Sequence, residues 1–170
     1  MSRFATIFAI SLLALFTLEM LQSVQQAVIQ PFTGLLASLS ASLIIPFDDA
    51  VVASGRVIEH TTNQFAVSIE AGCNGVEATI VLVAAVAAFP ARLWQKCAAI
   101  VLGFLAIQAM NLLRIISLFY LGQWNLDIFT WTHLYLWPVL IMLDVLIVFL
   151  LYLRYLNRVH GDDDIGTTVA

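Results

Sequence analysis

Three residue types in this chain can do covalent chemistry together: a thiol, an imidazole and a guanidinium. Cys73 stands in the run Glu70-Ala-Gly-Cys-Asn-Gly-Val-Glu77, with Gly72 and Gly75 close on either side. A cysteine thiolate attacks carbonyl carbon if a base removes its proton and a positive field holds the charge. His133 is the residue type for the base, and Arg114 for the field. The remaining cysteine, Cys97, forms no CxxC pair with Cys73 and no zinc-spaced cluster, so no metal, redox pair or cofactor is expected.

Local sequence sets how Cys73 is held. Ahead of it, Phe65, Val67 and Ile69 alternate with Ala66, Ser68 and Glu70, the period of two that marks a strand. Residues 54–59 read as an earlier strand, joined through Thr61-Thr-Asn-Gln64, so a small β-hairpin should deliver Cys73. Behind Cys73 an apolar run begins that reads as a membrane helix. A thiol at its N-terminus meets the positive end of the helix dipole, which favours thiolate.

The composition places these elements in a bilayer. Of 170 residues 62% are hydrophobic and 11% charged, with a mean hydropathy of +0.98. A soluble domain is nearer half apolar and a quarter charged. The expected fold class is an all-α polytopic membrane protein, one domain over residues 1–170, with a small extracytoplasmic hairpin. The lipid bilayer is thus a partner; a formal net charge of −4 offers no basic footprint for nucleic acid.

Apolar runs over 4–21, 74–90, 97–122 and 133–156 read as four spans. No small-residue cleavage site follows the first, which reads as an uncleaved anchor. Residues 22–73 form an extracytoplasmic segment. Within it Phe32, Leu35, Leu36, Leu39 and Leu43 fall on one helical face, and Thr33, Ser38, Ser40 and Ser42 take much of the other. About 14 residues reach only about 21 Å, so an amphipathic helix in the interface or against the bundle is expected there.

Arg3, Arg92, Lys96, Arg154 and Arg158 then share one side, and Arg56 alone lies in the opposite loops. The positive-inside rule puts both termini and the acidic tail 157–170 in the cytoplasm of a multi-pass inner-membrane protein, with Cys73 facing the periplasm. A further span over 24–45 would carry Arg92 and Lys96 outside.

On this topology Cys73 opens the second span and His133 the fourth, both at the outer end. Arg114 lies about 12 Å below the outer end of the third, and its side chain can snorkel upward. Cys97 lies about 30 Å from Cys73, too far for a disulfide. Each residue also has a structural reading. A lone cysteine near a helix end is commonly an inert small hydrophobe, and an interfacial histidine an amphipathic anchor. Arg114, costly inside a span, is either functional or paired, with Asp144 and Glu77 as available partners. Gln108 and Asn111 share roughly its side of the helix, as site residues or as interhelical glue. Asp144 either pairs Arg114 or helps pack the bundle.

At these residues the chain resembles the exosortase/archaeosortase family. The likeness rests on Ala71-Gly-Cys-Asn-Gly-Val76, on Asn111-Leu-Leu-Arg-Ile115 and on His133, in that order across about 54–153. Typical members carry more spans, so the chain looks most like the short exosortase H type. The resemblance implies a membrane cysteine protease or transpeptidase with Cys73, Arg114 and His133 as its catalytic residues. Its partners would be exported proteins ending in a short motif, one membrane helix and a basic tail. Asn111, Glu77 and Asp144 are the further candidates for the site. Two other classes stay open: a small aspartyl signal peptidase, for which Asp127 and Asp144 differ in depth, and a non-catalytic membrane assembly subunit.

Overall fold

The computed structural model describes residues 2–167. α1 (Ser2–Met20) ends at a bend at Leu21, and the chain continues through α2 (Gln22–Val24), a π turn (Gln25–Ile29) and α3 (Gln30–Ile44). Three antiparallel strands follow, β1 (Val51–Ser54), β2 (Val57–His60) and β3 (Phe65–Ser68), in the order β1-β2-β3. Then come α4 (Val76–Ala88) and α5 (Leu93–Trp124). After a corner at Asn125, α6 (Leu126–Trp131), a second π turn (Thr132–Leu136) and α7 (Trp137–Thr167) run on without a break. This is the polytopic helical class expected, with the hairpin enlarged by β1 to a three-stranded sheet. The expected acidic tail 157–170 continues α7 to Thr167, and residues 168–170 lie outside the described residues.

Among the described residues four stretches are long and apolar enough to cross a membrane: Arg3–Met20, Gln22–Ile44, Leu93–Trp124 and Leu126–Val159. The set differs from the hydropathy reading. The run 74–90 yields a helix of only 13 residues, α4, and Gln22–Ile44 joins the set by length. α4 is still the centre of the bundle. Ala78, Leu82, Ala84 and Val86 are buried, and α1, α5 and α7 pack around it. Its alanines let those neighbours approach closely.

The expected amphipathic helix is α3, which packs against the bundle. Thr33, Leu36, Ala37, Ser40, Ala41 and Ile44 are buried, whereas Leu35, Leu39 and Leu43 are exposed. In lipid a leucine gains little by leaving the surface, and small residues make the helix contacts. Phe32 meets Phe104 with ring centroids 6.0 Å apart, and Ile44 shares a core with Ile58, Ile69 and Phe119. α3 therefore rises along α5 from Phe104 toward its C-terminal end and carries the sheet there.

Both π turns stand just before a proline. The Pro138 ring donates no hydrogen bond and would press on the carbonyl four residues back. The backbone widens instead, and the N–H of Trp137 reaches the carbonyl of Thr132. The N–H of Gln30 reaches Gln25 in the same way ahead of Pro31.

The expected outer loop 123–132 shrinks to Asn125. The side-chain oxygen of Asn125 accepts the N–H groups of Asp127 and Ile128 at 2.8 and 3.1 Å. That is a complete N-cap, so the helix starts at Leu126. His133 consequently lies inside a helix rather than opening one.

Candidate active site

β3 hands the chain to a tight loop. The N–H of Cys73 donates to the carbonyl of Glu70 at 3.0 Å, and Gly72 and Gly75 take φ of +83° and +74°. Those values favour glycine, and Gly75 is needed for space as well. A Cβ there would stand 2.9 Å from Nε2 of Gln108. Buried Asn74 pins the loop from both sides: its Oδ1 accepts the N–H of Val76 at 3.0 Å, and its Nδ2 donates to Thr33 at 3.4 Å.

Three elements then converge on one thiol. Nη2 of Arg114, from α5, lies 3.4 Å from Sγ of Cys73, and Nη1 donates to the carbonyl of Gly72 at 3.3 Å. Nε2 of His133, from the second π turn, lies 3.9 Å from the same sulfur. Arg114 is only 6% exposed, and its Nε is buried without a partner. Nδ1 of His133 is likewise buried and unpartnered, so among the described residues no carboxylate orients the ring. Phe129, one turn earlier, does so by stacking: the ring centroids are 5.7 Å apart and the planes 2° from parallel. The thiol opens onto a cavity of about 320 Å³, lined by Phe65 to Glu70, Arg114, Ile115, Leu118, Leu126, Phe129 and His133.

Burial pushes the Cys73 thiol above its ordinary range. Arg114 pulls it back down, and Glu77 and Glu70 push it further up. This corrects the expected helix-dipole thiolate. Gly75 is the N-cap of α4, so Cys73 sits two residues outside the helix, and desolvation dominates.

The supporting candidates separate. Asn111 is fully buried, with its Nδ2 3.5 Å from Oε1 of Gln108, and the pair underlies Gly75 without touching the sulfur. Glu77 lies in the first turn of α4, close enough to act on the thiol by charge. Asp144 does not belong to the cluster. It lies about 16 Å along the helix from His133, and its Oδ2 is buried without a partner. Among the described residues no ion pair joins Arg114 to Asp144 or Glu77; those present are Arg56–Glu70 and His60–Asp48. No group of three or more His, Cys, Asp or Glu there could hold a metal ion. Phe129 and the wall formed by β3 were not anticipated. The only sequence signal for Phe129 is its spacing of four from His133.

A family model described as transmembrane exosortase matches residues 2–155. The chain belongs to that family. Exosortases serve protein sorting in membranes and are in general cysteine transpeptidases. The match takes in α1 and most of α7 as well as the cysteine and arginine motifs of this exosortase. No curated protein matches it, and no solved structure does. As a membrane-embedded exosortase it has the lipid bilayer and exported proteins as its general partners.

Proposed function

We propose that this exosortase is a cysteine protease and transpeptidase that cleaves C-terminal sorting signals at the outer face of the inner membrane. The observation that carries the reading is the convergence of Cys73, Arg114 and His133 from a loop and two helices onto one sulfur. Helix packing alone gives no reason for it.

The geometry supports the following steps. Burial favours the neutral thiol over the thiolate, and His133, 3.9 Å from Sγ, takes its proton as the sulfur attacks the scissile carbonyl carbon. Arg114 stabilises the negative charge passing from sulfur to carbonyl oxygen in a water-poor site. His133 then gives its proton to the leaving amine, the C–N bond breaks, and a thioester to Cys73 remains. An acceptor amine or water, deprotonated by His133, attacks the thioester and returns the thiol.

Charge at the far end of the bundle supports the orientation. Trp94 packs on Tyr155 at 6.4 Å and Phe89 on Tyr152 at 6.4 Å, so Arg92, Lys96, Arg154 and Arg158 share one end. Leu15 lines one cavity with Thr79 and Val83, and Glu19, one turn on, lies near enough to Glu77 to act by charge, so α1 runs antiparallel to α4 and brings Arg3 to that end too. The positive-inside rule makes it cytoplasmic, with both termini, and leaves Cys73 facing the periplasm. An aspartyl peptidase is disfavoured: Asp127 and Asp144 lie on one continuous helix, about 25 Å apart. The test is mass spectrometry of a co-expressed sorting-signal protein. Cleavage with a Cys73 adduct is expected, and unchanged cleavage by Cys73→Ala would end the reading.

A further inference from the structure

β3 is an edge strand: β2 pairs with one side of it, and among the described residues no strand pairs with the other. The phase of the ladder tells which groups are free. The N–H of Ile69 bonds the carbonyl of Arg56, and the register pairs Val67 with Ile58 and Phe65 with His60. In an antiparallel ladder the hydrogen-bonded positions alternate. Residues 65, 67 and 69 thus turn their amides to β2, and Ala66 and Ser68 direct N–H and C=O to the open side. Both residues are exposed.

The open side is a wall of the cavity that holds Cys73, facing Leu118, Phe129 and His133 across it. β3 also points at the nucleophile. Phe65 packs beside Gly122 near the end of α5, and at the other end the carbonyl of Glu70 accepts the N–H of Cys73. Uncovered edges invite pairing and are commonly blocked by charge, proline or a covering element. This one is left open beside a nucleophile.

We infer that the open edge of β3 binds the extended peptide just N-terminal to the scissile bond as a fourth, parallel strand. The inference rests on the peptidase reading above. The main chain of the peptide bonds to Ala66 and Ser68, and its scissile carbonyl arrives at Cys73. Parallel is the sense required, because the membrane helix of a sorting signal follows the scissile bond. The peptide must run toward the bilayer as it passes Cys73, as β3 does. Four strand residues cover about 13 Å, room for roughly four peptide residues. Every second side chain then faces Ile115, Leu118 and Phe129, which favours apolar residues at alternate positions.

The test uses the full chain in detergent with Cys97→Ala, and the probe acetyl-Val-Ala-Val-Ala vinyl sulfone, which alkylates Cys73 without turnover. Intact mass gives the labelling rate, with iodoacetamide as the reagent that needs no peptide binding. N-methylation of the probe at successive residues should slow labelling about tenfold at alternate positions and leave the others near the parent rate. Ala66→Pro and Ser68→Pro remove backbone N–H groups that face the open side, and Ser68→Ala is the control for the Ser68 hydroxyl, which donates to Oε1 of Glu70 at 2.8 Å. The proline variants should slow the peptide probe to a similar extent and leave iodoacetamide labelling unchanged. Equal effects at every N-methyl position, or unslowed peptide labelling of both proline variants, overturns the inference. Cleavage failing while the alternation persists would overturn the peptidase reading instead.

Discussion

Arg114 grips Cys73 twice, with Nη2 3.4 Å from the sulfur and Nη1 3.3 Å from the carbonyl of Gly72, the residue just before it. One guanidinium therefore supplies the local positive charge and fixes the backbone that carries the thiol. The two tasks need two donors in a rigid plane, which an ammonium lacks. Because no carboxylate pairs with Arg114 among the described residues, its charge is spent on the sulfur. Burial and two glutamates work against it.

That balance predicts the pH dependence of the thiol. The reactive form is the thiolate, so alkylation should rise with pH through a limb set by the Cys73 pKa, above that of an exposed cysteine. Glu77 raises this pKa, so Glu77→Gln should move the limb to lower pH. Arg114 lowers it, so Arg114→Met should move the limb to higher pH. Iodoacetamide labelling against pH in a Cys97→Ala background measures both. A limb that moves upward in Glu77→Gln would contradict the assignment.

Gly75→Ala should destabilise the protein by roughly 1–3 kcal/mol, since a φ of +74° strains any residue with a Cβ and Gln108 stands in the way. Gly75→Ala with Gln108→Ala should recover the steric share and leave the backbone share. Thermal unfolding in detergent reads both. Full recovery in the double variant would mean that φ costs nothing here.

Much of this was legible in the sequence. The apolar runs, the alternation of Phe65, Val67 and Ile69 and the one-sided basic residues led to the helical bundle, the strand before Cys73 and the grouping of Cys73 with Arg114 and His133. The departures have physical causes. Periodicity divided α3 into two faces without saying which one packs, and the helix packs mainly through its small residues. Asn125 looked like loop, yet one side-chain cap lets a helix begin beside it. Asp144 recurs on the face of His133, but too deep to reach Arg114. The π turns are set by prolines that hydropathy treats as simple interruptions.

Pro138 should matter to activity through His133. With Pro138→Ala the backbone can restore the bond to Leu134 and close the π turn to α geometry. Closing it turns the preceding helix by about 100° relative to α7 and carries the imidazole off the sulfur. Cleavage should fall at least about tenfold while stability holds or rises, since proline is costly inside a helix. Unfolding and cleavage measured on one preparation separate the two effects. Unchanged cleavage would show that the π turn does not set the position of His133.

The orientation is tested at the other end. Cysteines introduced over residues 91–96 should be closed to a membrane-impermeant thiol reagent in intact cells, and those introduced over 61–64 open to it. Cys97→Ala should keep full activity, because Cys97 lies about 25 Å along α5 from Arg114. Labelling of 91–96 from outside would reverse the orientation. Loss of cleavage in Cys97→Ala at normal protein level would contradict the placement of the site.

The mechanism makes the sharpest demand, because each member of the cluster has a distinct task. Cys73→Ala removes the atom that bonds to the substrate, so cleavage should disappear altogether. His133→Ala removes the group that carries the proton from sulfur to leaving amine, and should cost at least ~10²-fold. Arg114→Lys keeps a charge but cannot hold both Sγ and the carbonyl of Gly72, so it should fail as well. Asp144→Asn is the contrast: Asp144 meets none of the three, and the variant should cleave near the normal rate. All four proteins should insert and accumulate, since Cys73→Ala and His133→Ala only shorten side chains that line the cavity, and Arg114→Lys and Asp144→Asn nearly keep their size. Mass spectrometry of a co-expressed sorting-signal protein reads cleavage, and a thioester on Cys73 should be visible in the unaltered chain. Cleavage retained in His133→Ala together with loss in Asp144→Asn would mean that the proton is carried by another group, and that the short distance from His133 to the sulfur is packing.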